Sequence, residues 1–426
     1  NLSKLFTNSG VSKTKFINIA VDCNYLLKFT VDTELKIPNE NMIVTLFDTG
    51  ADIKEIFSIL GISDLNIKKL SKNMVFLKKE EIAILKEKAP YLVAMSVRDL
   101  NELSIKDFDA NFADTNLPTI PKPTNEPTIG VIDTLFSKSA YFADWVETTN
   151  LLDPEITLSD KDYAHGTEVA SIIVDGPTLN PWLDDGCGRF RVRHFAVATS
   201  SHSNTYFVVD AIRKIVEANQ DIKVWNLSLG KNTEISDNYI SPEAWMLDKI
   251  QHEYDVIFVI AGTNIPENCT NILKIGAPAD SINSLVVNSV NAKNQPATYS
   301  RTGPVLRFFI KPDIAYYGGD LDKPIKVAAP FGVVSRFGTS FAAPWISRKL
   351  AYLIEIMHLP KELAKALIID SATGWEVLKH DKNLLGFGVV PIKISDILQT
   401  DNSEIKFLIS GKSENYDTYN YKIPVP

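Results

Sequence analysis

The sequence predicts an α/β protein: a parallel sheet flanked by helices, preceded by a small α/β sandwich and followed by a short β segment. Three observations carry this. Between residues 128 and 391, near-continuous apolar runs alternate with amphipathic stretches, the pattern of strands buried on both faces and covered by helices. Residues 1–103 carry their own order of strand and helix signals. Between the two, Pro118, Pro121, Pro123 and Pro127 fall within ten residues among Thr, Asn and Lys, the composition of an extended surface linker over 104–127.

In the N-terminal unit, FINIAVD (16–22), MIVTLFD (42–48), NMVFL (73–77) and YLVAMSV (91–97) read as strands. GADIKEIFSILGI (50–62) has Ile53, Ile56, Phe57 and Leu60 at helical spacing, and KKEEIAILKEKAP (78–90) is a short helix stopped by Pro90. This unit holds no nucleophile, base or metal-ligand constellation. The large domain, 128–398, takes its strands from VIDT, 190–198, 222–230, 256–262 and 284–290. Its helices lie over 165–174, 205–220, 241–254 and 339–357. Residues 399–426 read as two strands around a polar turn, too few for an independent domain.

Three short segments carry chemistry. VIDT puts Asp133 at the carboxyl end of a buried strand. AHGTEVASII puts His165 at the start of a helix, and FGTSFAAPW puts Ser340 at another helix N-terminus. In open α/β sheets these are the places where ligands and catalysis collect. A serine hydroxyl is a weak nucleophile until a base takes its proton, and that base needs a third group to fix its tautomer and stabilise its charged form. The other histidines, His194, His202, His252, His358 and His380, sit in no motif and are read as structural.

These segments resemble the aspartate, histidine and serine motifs of the subtilisin-like serine protease family. They stand in that family's chain order. VWNLSLG, GAPAD, SLVVNSV, YSRTGP, KPDIAYYGG and GFGVV match supporting landmarks, so the resemblance spans about residues 128–391. It implies a serine endopeptidase with Asp133, His165 and Ser340 as its triad. The family's oxyanion donor is an asparagine directly after Ala-Gly, but here the order is Ala261-Gly262-Thr263-Asn264. Asn264 is the preferred donor because an amide N–H suits the role, with Thr263 as the alternative. Ser228, Leu229 and Gly230 resemble the segment that pairs with substrate as an added strand. Lys231 stands where the family has a second glycine. By position and element order the N-terminal unit resembles the family's propeptide, a folding aid and inhibitor. The competing reading is a catalytically silent peptide-binding scaffold, which the displaced asparagine and Lys231 keep open. A sedolisin-type peptidase is disfavoured by His165.

Composition narrows the partners. The net charge of −8 gives no basic footprint for nucleic acid or anionic membranes. The longest apolar runs are too short to span a bilayer. Cys23, Cys187 and Cys269 are far apart and form no C-x-x-C pair, so neither a disulfide framework nor a zinc knuckle is expected and a reducing, cytoplasmic setting is favoured, a bacterial one by the resemblance. A chain beginning at Asn1 leaves secretion open. The chemistry requires no cofactor. Many family members bind structural calcium, and no D-x-D-x-D-G loop is present. The expected partner is a peptide or protein substrate. Some divergent bacterial relatives add a regulatory ATPase, which the resemblance allows here.

Overall fold

The computed structural model describes residues 12, 15–16, 42–47, 49–62, 68–69, 74–89, 92–97, 108–114, 117–200, 205–266, 269, 271–372 and 382–400. Apart from Phe16, the expected strand 16–22 lies outside them, as does the β segment from 401 onward. By its contacts the chain divides into residues 1–37 with 401–426, and residues 38–400. Everything below belongs to the second unit.

The first elements are β1 (Met42–Leu46), α1 (Ile53–Leu60), β2 (Lys68–Lys69), β3 (Met74–Leu77), α2 (Lys79–Lys88) and β4 (Val93–Val97). They build an antiparallel sheet in the order β2-β3-β1-β4. Helix α1 starts where the Asp52 carboxylate accepts the Lys54 N–H, and stops at Gly61, whose left-handed φ of 75° suits glycine. Side chains alternate along β3 as a strand requires. Val75 and Leu77 pack with Phe57, Ile82 and Leu85 in a core of their own. Met74 and Phe76 point the other way and join the large domain's apolar cluster, which also holds Val208, Ile212, Leu247 and Ile250. Met74 is fully buried there, a contribution of about 1.5–3 kcal/mol to holding the two layers together.

Next come β5 (Phe108–Asp114), β6 (Thr128–Asp133), β7 (Val146–Asn150), α3 (Ala164–Leu179), β8 (Arg191–Ala196), α4 (Thr205–Ala218), β9 (Val224–Leu227), α5 (Pro242–Tyr254), β10 (Ile257–Ala261), β11 (Leu285–Val290) and β12 (Ile314–Tyr317). The hairpin β13 (Ile325–Ala329) and β14 (Gly332–Phe337) follows, then α6 (Ala343–Ala351) and α7 (Lys361–Ser371). The main sheet has seven strands in the order β12-β11-β10-β9-β6-β8-β7, and every neighbouring pair is parallel. Strand faces alternate between two cores. Ile257, Val259 and Ala261 of β10 meet α3 and α6, while Phe258 and Ile260 meet α4 and α5. Both faces are therefore apolar, which is why the strand sequences read as continuous runs rather than alternating ones.

The chain builds β6, β7 and β8 on one side and then crosses to β9 on the other side of β6. The switch in direction opens a crevice at the carboxyl end of β6, where Asp133 sits. A separate three-stranded antiparallel sheet has the order β13-β14-β5. Strand β5 falls within the stretch expected to be a linker. It pairs with β14 so that Phe108 lies opposite Phe337, three residues before Ser340. Residues 117–127 beyond it carry the prolines and form no strand or helix.

Candidate active site

Asp133 is wholly buried at the end of the central strand β6. Its Oδ1 accepts the Thr134 N–H at 2.7 Å and lies 2.5 Å from Nδ1 of His165. Two further contacts fix the histidine helix to this strand end. The Gly166 N–H donates to Thr134 Oγ1 at 2.9 Å, and the Leu135 N–H donates to the Asp162 carbonyl at 3.0 Å. Gly166 has no room for a side chain. A Cβ there would lie 2.7 Å from the Thr134 carbonyl oxygen, 2.8 Å from that of Leu135 and 2.7 Å from His194 Nε2. Glycine after His165 is thus a packing requirement of the Asp–His contact.

Ser340 arrives from the other direction. Strand β14 ends at Phe337, and the Gly338 N–H donates to Gly318 O at 3.0 Å. Thr339–Phe341 then make one 3-10 turn leading into α6, which opens with Pro344 in its first turn. This turn packs on α3, with the Phe341 ring centred 6.1 Å from the His165 imidazole. Gly318 sits where a Cβ would come 2.2 Å from Ser289 Oγ and 2.5 Å from Gly338 O, so the chain can pass close beneath the turn. Asp133, His165 and Ser340 are all less than a tenth exposed.

The Asn264 amide oxygen accepts both the Thr339 N–H at 3.0 Å and the Thr339 hydroxyl at 2.9 Å. A backbone N–H can only donate, so the oxygen must face Thr339 and the amide N–H groups turn the other way. The Thr263 hydroxyl is differently employed: it donates to Gly262 O at 2.6 Å and accepts the Gly276 N–H at 3.0 Å. Thr263 also takes a left-handed φ of 69°, so it forms the extra residue of the turn after Ala-Gly. Of the two donor candidates, Asn264 adjoins the serine turn through its two bonds with Thr339, and Thr263 braces the loop to Gly276.

Around the expected substrate segment, Ser228 Oγ accepts from Asn226 Nδ2 at 3.0 Å and donates to Ser340 O at 3.3 Å. Its side chain props the serine turn from below. Asn226 also accepts from Ser347 Oγ of α6 at 3.0 Å, which ties the serine helix to β9. Leu229 is buried in the apolar layer, while Gly230 faces Thr263 so closely that a Cβ would stand 2.4 Å from its methyl. The Lys231 N–H donates to Ala277 O at 2.8 Å, and its buried ammonium pairs with the buried Glu243 carboxylate.

Several groups shaping the site carry no motif. His194 on β8 is wholly buried against Gly166 and the Phe136 ring. Burial holds its imidazole down at about 4, the nearby Asp133 charge opposing and that of His165 reinforcing the shift. The imidazole is therefore neutral at working pH. On the serine helix itself, Arg348 is fully buried and forks onto Asp185 with two 2.8 Å bonds, and it also donates to Ile173 O and Gly188 O at 2.6 Å. Burial works against both charges, and their mutual attraction outweighs it, raising Arg348 and lowering Asp185. A cavity of about 400 Å³ near Gln251, Asn283, Lys361 and Lys365 lies away from these groups. Among the described residues no cluster of His, Cys, Asp and Glu has the makings of a metal site, and no helix is long and apolar enough to cross a membrane.

Residues 40–388 match the family model described as the Subtilase family. The fold is similar to that of the epidermin leader peptide processing serine protease (EpiP) from Staphylococcus aureus. The identity is 17%, covering 87% of this chain and 100% of that one, at a TM-score of 0.58. A mutant of the protease domain of PatA is similar over 64% of this chain and 94% of that one, at 20% identity and a TM-score of 0.50. No curated protein sequence matches the chain. Neither finding supports an ATPase partner. With a family match over most of its length and a seven-stranded parallel sheet of the same architecture, the chain belongs to the subtilase family and is a subtilisin-like serine endopeptidase.

Proposed function

We propose that the chain cleaves peptide bonds through an acyl-enzyme formed on Ser340, with His165 as base and Asp133 as its orienting partner. Ser340 Oγ attacks the scissile carbonyl carbon and its proton passes to His165 Nε2. The C–N bond then breaks, and the imidazolium returns the proton to the departing amine. Water repeats the sequence on the ester, releasing the acid and restoring Ser340. The 2.5 Å contact between His165 Nδ1 and the buried Asp133 carboxylate carries this reading. It leaves Nε2 as the nitrogen for proton transfer and stabilises the positive ring. Negative charge on the tetrahedral oxygen would be met by the Ser340 N–H, at the start of a helical turn, and by the Asn264 amide.

The N-terminal unit (1–103) acts as an inhibitory cap joined to the catalytic domain (128–398). One observation supports this: the sheet β2-β3-β1-β4 of this unit buries Met74 in the large domain's apolar layer. A tethered inhibitor holds a high effective concentration, so modest intrinsic affinity keeps it docked. A specific protease site inserted between residues 103 and 104 tests both ideas in the whole chain. After the cut, peptidase activity should rise on dilution and vanish in Ser340→Ala. Full activity before the cut removes the cap from the account, and cleavage that persists in Ser340→Ala removes the triad. A folded chain that reacts at no serine would instead be the silent scaffold.

A further inference from the structure

We propose that Glu168 and Arg336 form a positioning ion pair that sets the approach of His165 to Ser340. The inference rests on the triad reading above. Glu168 lies one helical turn after His165 on α3, and Arg336 lies four residues before Ser340 on β14. The guanidinium Nε donates to both Glu168 oxygens, at 3.2 and 3.1 Å, and Nη2 donates to Oε1 at 2.9 Å. The Glu168 side chain is 4% exposed and that of Arg336 18%. Water therefore screens the pair weakly, and the planar fork fixes direction as well as distance.

The placement matters more than the attraction. His165 and Ser340 belong to different segments, one at the start of α3 after β7 and the other following the β13–β14 hairpin. Something must hold the helix carrying one against the strand delivering the other. Farther along α3, Ser171 Oγ accepts the Ala328 N–H at 3.0 Å. Asn180 then bonds both the N–H and the C=O of Lys326, at 2.9 and 2.8 Å. Those contacts reach β13, away from the serine. Of these hydrogen-bonded contacts between α3 and the hairpin, Glu168–Arg336 stands nearest the catalytic residues in sequence, its two residues lying three and four places from His165 and Ser340. The other edge of β14 is taken by β5, with Asp109 in register opposite Arg336. The strand is thus gripped from both sides just before it turns into Ser340.

A shift of about 1 Å between nucleophile and base costs on the order of 10²-fold in rate. Removing the fork should therefore lower kcat by about that factor while KM stays within about threefold, because the pair is largely buried and offers little surface to a substrate. Stability is the rival explanation, and an apolar replacement separates the two. Buried ion pairs exchanged for apolar residues of similar volume commonly keep or gain stability. In the cut chain, Glu168→Met with Arg336→Met should keep the wild-type thermal midpoint yet lose about 10²-fold in kcat. The rate of fluorophosphonate reaction at Ser340 should fall in parallel. Arg336→Lys, which retains the charge without the fork, should fall in between, about tenfold down. Wild-type kcat in either variant overturns the proposal, as does a loss confined to KM. A wild-type chain that neither cleaves peptide nor reacts with the probe instead refutes the triad reading, and the positioning role falls with it.

Discussion

Asn264→Asp separates the two ends of one amide. The carboxylate keeps the shape and still accepts the Thr339 N–H and hydroxyl, now 3.0 and 2.9 Å from the amide oxygen. It loses both N–H donors and brings negative charge toward the place where the oxyanion forms. Loss of one oxyanion donor costs about 10²–10³ in kcat, or about 2.7–4 kcal/mol of transition-state stabilisation. Charge repulsion should put Asn264→Asp at or beyond the upper end. Asn264→Ala loses the donors and both turn contacts. At about 1 kcal/mol per hydrogen bond, its folding stability should drop by about 2 kcal/mol as well. Steady-state kinetics on a quenched peptide at pH 8, beside urea unfolding, reads both quantities. The aspartate variant should fold like wild type with KM little changed, and Thr263→Ala should mostly retain kcat. An Asn264→Asp enzyme within threefold of wild-type kcat would refute the donor assignment.

Three further outcomes follow from the packing. Gly166→Ala forces a methyl against two carbonyl oxygens and His194, which should cost about 1–3 kcal/mol by overpacking and about 10²-fold in kcat by moving His165; denaturant unfolding and peptide kinetics report each. Asp185→Asn leaves the buried Arg348 without its counter-charge and should destabilise the fold by about 3–5 kcal/mol, much of it recovered in Asp185→Leu with Arg348→Met, as measured by urea unfolding. His194 is held at about 4 against about 6.5 when unfolded. The unfolded chain therefore binds the extra proton between those values, and the wild type loses stability as pH falls through that window. In His194→Leu that loss is absent. Its unfolding free energy relative to wild type should rise by about 3 kcal/mol between pH 6.5 and pH 4, and no change would place His194 outside the buried layer.

Much of this architecture was legible because local and long-range signals agree. Strands β6, β9, β10 and β11 are buried on both faces, so their apolar runs stand out whatever they pair with. Helix α4 shows its apolar face by spacing, whereas α3 is buried on nearly every side and is legible through its histidine motif instead. The edge strand β7 (VETTN) is half solvated and polar, which hides it. Strand β5 (FDANFAD) exists because β14 offers an unpaired edge, a partner more than 200 residues away that no local pattern announces. The expected strands do not include the hairpin β13–β14, whose two strands are recognised only by their pairing. At the site, Asp133, His165 and Ser340 were found through motifs. The roles of Thr134 and Glu168, which lie inside those motifs, and of His194 and Arg336, which lie in none, are not legible there, since each acts through tertiary contacts to segments remote in sequence. The step between Gly262 and Asn264 was visible as an insertion. Its consequence, a left-handed Thr263 that turns Asn264 toward Thr339, needed coordinates.

The central claim is that Ser340 is an activated nucleophile. Peptide mass spectrometry after treatment with a fluorophosphonate, on the chain cut between 103 and 104 and on the uncut chain, addresses it most directly. The account predicts one phosphonyl adduct on Ser340 in the cut chain, slower formation in the uncut chain, and a rate lowered by orders of magnitude in His165→Ala, because serine and base act as a unit. A folded cut chain that forms no adduct at Ser340, or that reacts equally well without His165, would contradict it.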